Sequence, residues 1–131
     1  LMELGAGVAL ITALEAHRAD ALVQEKACGA IWCFTFNDKT QKQLINLGAP
    51  LAVLRSLEAH VRSGAVARNA LRALENIGID QAFFFRTPEV VGAQQLLVRN
   101  AVKPLTRKAR ALHPKDVKIQ QSAEAILRWT E

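Results

Sequence analysis

Hydrophobic and polar positions in the first eighty residues follow one pattern twice, forty-three positions apart. Leu4-Gly5-Ala6 recurs as Leu47-Gly48-Ala49, and Leu14-Glu15-Ala16-His17 recurs as Leu57-Glu58-Ala59-His60, with no gap between them. Within each copy the apolar residues are spaced three and four apart, which is the spacing of amphipathic helices. A period in the low forties that contains only helical patterns is typical of an α-solenoid. We therefore predict an all-α chain.

The first copy predicts two helices, and a short helix follows them. Residues 6–17 carry an apolar stripe that we expect to be buried, namely Val8, Leu10, Ile11 and Leu14. Asp20 suits the N-cap of a second helix. The inward side of that helix is predicted to consist of Val23, Ala27, Ala30, Ile31 and Phe34. Asn37-Asp38 then cap a short helix near residues 39–46.

The second copy predicts helices over residues 50–61 and 65–77, and a third unit follows it. That unit opens with a short helix containing Phe83, Phe84 and Phe85. At Thr87-Pro88 an N-cap precedes a proline at the first position of its next helix. Pro104 either kinks or splits that helix. Val91-Gly92-Ala93 repeats Leu47-Gly48-Ala49, so we predict one domain, 1–131, with units at 1–36 (partial), 37–79 and 80–131 and an insertion near 100–114.

The register of the last helix can be drawn in two ways. An offset of fifty-two from the second unit predicts that four residues face inward, namely Ser122, Ala125, Ile126 and Trp129. An offset of fifty-three places Trp129 on the polar side of the helix. We prefer the first, because it buries the large ring and leaves the charges in water.

Residues 27–34, with the sequence ACGAIWCF, the turn Asn37-Asp38 and the junction Leu47-Gly48-Ala49-Pro50 resemble an armadillo repeat. The resemblance covers the whole chain and is closest over residues 4–79. It implies a right-handed solenoid with three helices per repeat, of which the chain would hold about two and two-thirds. It also implies that the third helices line a concave groove that binds extended peptide segments.

The family's peptide-binding asparagine on the third helix is matched by Asn76 alone, since Cys33 and Arg128 take its place in the other units. Members of the importin-alpha kind also carry a tryptophan four residues earlier. Those positions hold Gly29, Arg72 and Glu124. The asparagine–tryptophan ladder is absent, so nuclear-signal binding by that mechanism is not predicted.

Polar side chains spaced three and four apart on the third helices share a face and predict a partner-binding groove. Arg72 can meet an acidic side chain, and Asn76 offers a donor and an acceptor to a peptide bond. A solvated face without a ligand is the alternative. The predicted groove residues are Asn69, Arg72, Asn76, Gln121, Glu124 and Arg128.

The net charge of +5 and a pI near 9.7 permit an acidic partner. Basic residues concentrate in one stretch, consisting of Arg99, Lys103, Arg107, Lys108 and Arg110, with Lys115 and Lys118 close behind. This patch predicts an alternative function, docking to nucleic acid, to an acidic protein or to an anionic membrane. A hydrated basic face is the other interpretation, because no phosphate-binding loop or stacking aromatic accompanies it.

No nucleophile, phosphate or zinc motif occurs in the sequence, so we predict a non-catalytic protein with no cofactor and no metal. His17 and His60 occupy equivalent positions at helix ends, which indicates a repeated structural role. Cys28 and Cys33 lie five residues apart on different sides of a helix, so we expect reduced thiols and an intracellular, cytoplasmic or nuclear, protein.

The chain opens on a helix that has no polar capping repeat before it. We therefore expect a fragment of a longer array. Its uncapped end would either self-associate through residues 4–14 or require neighbouring repeats. The expected partner of the groove is a protein or peptide segment.

Overall fold

The computed structural model describes residues 4–79 and 87–130 and contains only helices and connecting turns within them, which confirms an all-α chain. The predicted short helix with Phe83, Phe84 and Phe85 lies outside the described residues. The helices are α1 (Leu4–Ala16), α2 (Ala21–Phe34), α3 (Asp38–Asn46), α4 (Ala49–Ala59), α5 (Gly64–Ile77), α6 (Pro88–Arg99), α7 (Val102–Leu112) and α8 (Val117–Trp129).

Helix starts are set by the side chains that the sequence places before them. The side chains of Asp20, Thr87 and Asp116 each accept a hydrogen bond from a backbone N–H in the first turn of their helices, at 3.1, 3.3 and 3.1 Å. Such bonds satisfy N–H groups that have no partner within the helix. The predicted caps at these three positions are confirmed.

Helices α4 and α7 begin differently, each after a residue in the left-handed region. Gly48 has φ 96° and Ala101 has φ 68°, and the two are fifty-three positions apart. The chain therefore breaks between α6 and α7 at Ala101. Pro104 lies in the first turn of α7, where its missing N–H is not needed.

Helices that hold the same place in successive units pack on one another in chain order. Helix α2 packs against α5 and α5 against α8, while α1 packs against α4 and α4 against α7; α3 packs against α6. Helix α5 is thus covered on both flanks. Its inward residues are buried, namely Val66, Ala67, Ala70, Leu71, Ala73, Leu74 and Ile77.

In α1 and α2, at the start of this row, the equivalent positions are covered from one side only. In α2, Gln24, Cys28 and Ile31 are buried, whereas Val23 and Ala30 are half-buried. In α1, Ile11 and Leu14 are buried as predicted, but the prediction for Val8 was wrong, because its side chain is 47% exposed. These half-covered positions face away from the rest of the chain.

His60 and His113 stand at equivalent turns and make equivalent hydrogen bonds, whereas the repeated role was expected for His17 and His60. The Nε2 of His60 lies 2.5 Å from the carbonyl oxygen of Arg18, and the Nε2 of His113 lies 2.7 Å from that of Val61. In both cases the carbonyl belongs to the matching turn of the preceding unit.

Glutamines repeat in the same way. The Nε2 of Gln24 donates to the carbonyls of Leu14 and His17 at 3.1 and 2.8 Å. The Nε2 of Gln120 donates to the matching carbonyls of Arg110 and His113, at 3.0 and 2.9 Å. Each glutamine is four residues after an N-cap aspartate and ties the start of one helix to the end of the previous one.

These correspondences align α6, α7 and α8 with α3, α4 and α5 and correct two predictions. Residues 100–114 hold a turn and the whole of α7, so the extra length is not there. Seven extra residues lie between Ile77 and Pro88, where the chain is longer than between Phe34 and Asp38. Three more lie in α6, which has 12 residues where α3 has 9. The preferred offset of fifty-two for α8 was also wrong, because its N-cap, Asp116, lies fifty-three positions after Ser63.

Candidate partner-binding surface

Helices α2, α5 and α8 are the last helices of their units and correspond to the third helices of the predicted repeats. Their outward side is the third-helix surface. It contains the residues predicted for the groove on α5, all of them half-buried, together with Trp32 and Phe36 from α2 and the turn after it. The side chains of Asn69, Arg72 and Asn76 all reach back toward α2 and are partly engaged there.

Asn69 joins α5 to α2. Its Nδ2 donates to the carbonyl of Glu25 at 2.9 Å. The approach depends on Gly29, where an added Cβ would lie 3.1 Å from the same Nδ2. The small residue at position 29 therefore lets α5 approach α2 closely. Asn69 acts as an interhelical donor.

Asn76, the next-to-last residue of α5, makes a similar contact. Its Nδ2 donates to the hydroxyl of Thr35 at 3.1 Å, and its backbone carbonyl accepts from the Nε2 of Gln41 at 2.7 Å. Thr35 in turn donates to the carbonyl of Trp32 at 2.5 Å. The asparagine is held by the protein through its Nδ2. No hydrogen bond from the described residues reaches its amide oxygen, which can accept from an outside donor.

Arg72 lies over an aromatic side chain of the neighbouring helix. Its guanidinium carbon is 3.5 Å from the centroid of the Trp32 ring, within cation–π range. Phe36 meets Trp32 edge-on, with ring centroids 5.2 Å apart, and is itself 60% exposed. Trp32, Phe36 and Arg72 form the aromatic–arginine cluster of the third-helix surface. The contact between Trp32 and Arg72 was not predicted from the sequence.

On α8, the residues that correspond to Asn69 and Asn76 are Ser122 and Trp129. The Ser122 hydroxyl donates to Glu75 at 2.8 Å, as Asn69 donates to α2. Trp129 packs against Gly78, the counterpart of Thr35. Burial of Ser122 was predicted correctly, but Trp129 does occupy the polar position, because Gly78 leaves room for its ring.

The other three predicted groove residues are exposed on α8, as expected, but they do not continue the row of Asn69, Arg72 and Asn76. At the offset of fifty-three they correspond instead to the side of α5 that faces the next helix. The matched positions are Gln121 with Arg68, Glu124 with Leu71 and Arg128 with Glu75.

The predicted basic patch lies on α7 and at the end of α6. Arg99, Arg107, Lys108 and Arg110 are exposed and Lys103 is half-buried. Arg107 and Arg110 stand where α4 has the buried Leu54 and Leu57. Two arginines of α7 thus stand at the positions of two core leucines of α4.

Asp116 is the one acidic residue within this basic stretch, and it is paired. Its Oδ2 accepts from Nε and a terminal nitrogen of Arg68, at 3.0 and 2.9 Å. Partial burial alone would raise the pKa of Asp116. The hydrogen bond from Arg68, those from the backbone N–H groups of Ile119 and Lys118, and the charge of Arg68 hold that pKa below its ordinary value. Asp116 therefore binds α5 and caps α8 as a carboxylate.

The two cysteines differ in exposure. Cys28 is buried beside Ser56, with 3.5 Å between its sulfur and the hydroxyl oxygen. Burial raises the pKa of the Cys28 thiol to about 11, and the bond to Ser56 opposes this only in part. Cys33 is exposed, and both thiols are free, as the sequence predicts.

Within residues 4–79 and 87–130, no three His, Cys, Asp or Glu side chains are grouped as ligands for a metal ion. No helix in the same residues combines the length and the hydropathy that a membrane span requires. Comparisons of the chain with protein-family models, with curated proteins and with solved structures found no match.

Proposed function

We propose that the chain is an armadillo-like right-handed solenoid with three helices per repeat. The support is the ordered packing of α2, α5 and α8 and the recurrence of the histidine and glutamine hydrogen bonds at matching turns. Each repeat buries its apolar side against its neighbour, as the repeats of solenoid proteins do. Residues 38–77 supply one such triplet and residues 88–129 the next.

We further propose that this solenoid is a non-catalytic scaffold that binds a protein segment on the third-helix surface. The aromatic–arginine cluster carries this proposal, because tryptophan and arginine dominate the energetics of protein interfaces. Exposed Phe36 supplies an apolar contact and Arg72 a guanidinium edge for a carboxylate or a carbonyl. The amide oxygen of nearby Asn76 can accept from a peptide N–H.

Selection of extended peptides from a displayed random library tests the proposal with a defined probe. Peptides selected on the wild-type chain should lose at least about tenfold in affinity when Phe36→Ala or Arg72→Ala removes part of the cluster. Val98→Ala and Arg62→Ala are matched controls, because both residues are exposed and neither lies in α2, α5 or α8. Peptides that bind all four variants equally, with folding intact by circular dichroism, would exclude this site.

Electrostatic docking to nucleic acid is a second proposal, favoured by where the charge lies. Residues 87–130 contain eight basic and three acidic residues, so this triplet carries a charge equal to the net charge of the whole chain. The basic residues are Arg99, Lys103, Arg107, Lys108, Arg110, Lys115, Lys118 and Arg128. Affinity for single- or double-stranded oligonucleotides should fall steeply with added salt and in a Lys103→Gln, Lys108→Gln double variant. A flat salt dependence would rule the proposal out.

We place the protein inside the cell, in the cytoplasm or the nucleus, because Cys33 is an exposed free thiol, which oxidising compartments disfavour. Imaging of the tagged chain with compartment markers tests this placement, and secretion into the medium would contradict it.

A further inference from the structure

The row of helices ends in two chemically different ways. On the side of each unit that faces the next unit, three equivalent positions are buried in the first two units. They hold Ile11, Leu14 and Cys28 in the first unit and Leu54, Leu57 and Leu71 in the second. The last triplet has charged and exposed residues there, namely Arg107, Arg110 and Glu124. We refer to these positions as the trailing surface, and in the last triplet it is a polar cap.

At the opposite side of the row, the described residues present apolar side chains instead. An open apolar groove of about 400 Å³ lies between α1 and α2, and its lining is aliphatic apart from Lys26. Leu22 at its edge is 62% exposed. This is the leading surface, formed by Leu10, Ala13, Leu22, Val23 and Ala27.

The leading surface has two counterparts inside the same chain, and both are covered by a helix pair. Val23 corresponds to Val66 in α5 and to Ile119 in α8, which are 1% and 0% exposed. Val66 lies in the helix that packs on α2, and Ile119 lies in the helix that packs on α5. The first member of the series, Val23, stands half-buried with its outer side open.

Polar anchors of the two covered interfaces are also present on the leading surface. His60 and His113 each bond a backbone carbonyl of the preceding unit, and His17 is the exposed third member of that series. Lys26 corresponds to Asn69 and Ser122, which donate to the preceding helix. The Lys26 side chain is 72% exposed, and its ammonium nitrogen lies 3.5 Å from a carboxylate oxygen of Glu25. With three donors, the group can also donate to a carbonyl or a carboxylate of a partner.

From this continuity we propose that the leading surface binds an antiparallel helix pair that exposes aliphatic side chains in the arrangement of Leu54, Leu57 and Leu71. The partner's turn carbonyl accepts from His17, and its helix end accepts from Lys26. A second copy of this chain does not present that surface, because its trailing side carries Arg107, Arg110 and Glu124. Such charges would have to be desolvated against Leu10 and Val23.

A donor chain with a restored trailing surface tests the proposal. The donor is the full chain with Arg107→Leu, Arg110→Leu and Glu124→Leu. Its own leading surface is blocked by Leu22→Asp and Val23→Asp, which the first turn of α2 tolerates because acids favour a helix N-terminus. Sedimentation velocity of donor with wild-type chain should show a one-to-one complex that neither forms alone.

Two receiver variants locate the contact on the leading surface. Wild-type chain carrying Leu22→Asp and Val23→Asp should bind the donor at least about tenfold more weakly, because two carboxylates would have to be desolvated against aliphatic side chains. His17→Ala should weaken binding about fivefold, the value of one hydrogen bond. Circular dichroism and thermal unfolding verify that every variant is folded.

A control donor separates specific docking from general stickiness. It carries Leu22→Asp and Val23→Asp with Arg62→Leu, Arg99→Leu and Lys108→Leu, three exposed charges outside the trailing surface. It should not bind the wild-type chain. Absence of a complex with the first donor, equal binding by both donors, or wild-type self-association that Leu22→Asp abolishes would each overturn the proposal.

Discussion

The indole ring of Trp129 lies against Gly78, in space that any larger residue at position 78 would fill. A Cβ on Gly78 would overlap the ring, although the backbone there has φ −84°, which any residue adopts. Glycine is therefore required at this position by the packing of α8 on α5 and not by backbone conformation.

Gly78→Ala should lower the free energy of unfolding by about 1–3 kcal/mol, because the ring must shift out of its site. Urea titration followed by circular dichroism measures the change. Gly92→Ala is the matched control, since nothing lies within 4 Å of the position of its Cβ and alanine favours the interior of α6. An unchanged stability for Gly78→Ala would mean that Trp129 packs elsewhere.

The pair formed by Asp116 and Arg68 predicts a stability that depends on pH. Because the folded state lowers the pKa of Asp116 from 3.8, its stabilisation is complete above that value and is lost as pH falls through the folded pKa. Asp116→Asn keeps the cap and loses the ion pair, so it should cost about 1 kcal/mol at neutral pH, since Arg68 is 40% exposed.

At pH 2 the difference between this variant and the wild type should shrink toward zero, as read by thermal unfolding across the pH range. Asp20→Asn serves for comparison, because Asp20 caps α2 from an exposed position. A deficit for Asp116→Asn that stays constant down to pH 2 would contradict the assignment.

Substitutions at two equivalent left-handed positions, Gly48 and Ala101, should change the stability in opposite directions. Gly48→Ala should destabilise the chain by about 1 kcal/mol, because alanine is strained at φ 96°. Ala101→Gly should stabilise it by about 0.5 kcal/mol, since it relieves the same strain at φ 68° but loosens the unfolded chain. Chemical denaturation measures both changes in stability. Changes of the same sign would refute the equivalence of the two junctions.

The two thiols should differ in reactivity toward iodoacetamide. With a pKa of about 11, Cys28 holds roughly one thiolate in a thousand at pH 8, and it is also buried. Mass spectrometry of the native chain should therefore find Cys33 alkylated well before Cys28, and the two labelled at similar rates in denaturant. Equal labelling in the native chain would show that α2 and α4 separate readily.

The helices of the first two units could be predicted from sequence, because the caps and apolar spacing of Asp20, Ile31 and Leu74 are local signals. The insertion could not be placed, because Val91-Gly92-Ala93 imitates a helix junction that the chain in fact forms at Ala101. In that case an alanine adopts a conformation that sequence statistics assign to glycine.

The predicted register of α8 was wrong for a different reason. Placing Trp129 at the polar position looked costly, but the absent side chain of Gly78 provides an apolar site on the adjacent helix. Only a contact across the interface reveals that site. The stacking of Arg72 on Trp32 was missed for the same reason, whereas the aspartate–glutamine spacing shared by Gln24 and Gln120 was visible in the sequence and could have identified both tethers.

Helix α5 packs between α2 and α8, so opening it breaks its contacts with both of these helices, whereas opening α2 or α8 breaks only the contact with α5 within this row. In a one-dimensional stack, the ends therefore open more often than the centre. Amide hydrogens of α5 should exchange most slowly with solvent, and those of α1 and the end of α8 most quickly. An enzyme or chaperone that pulls on either end would meet its main resistance only after the first helices have detached.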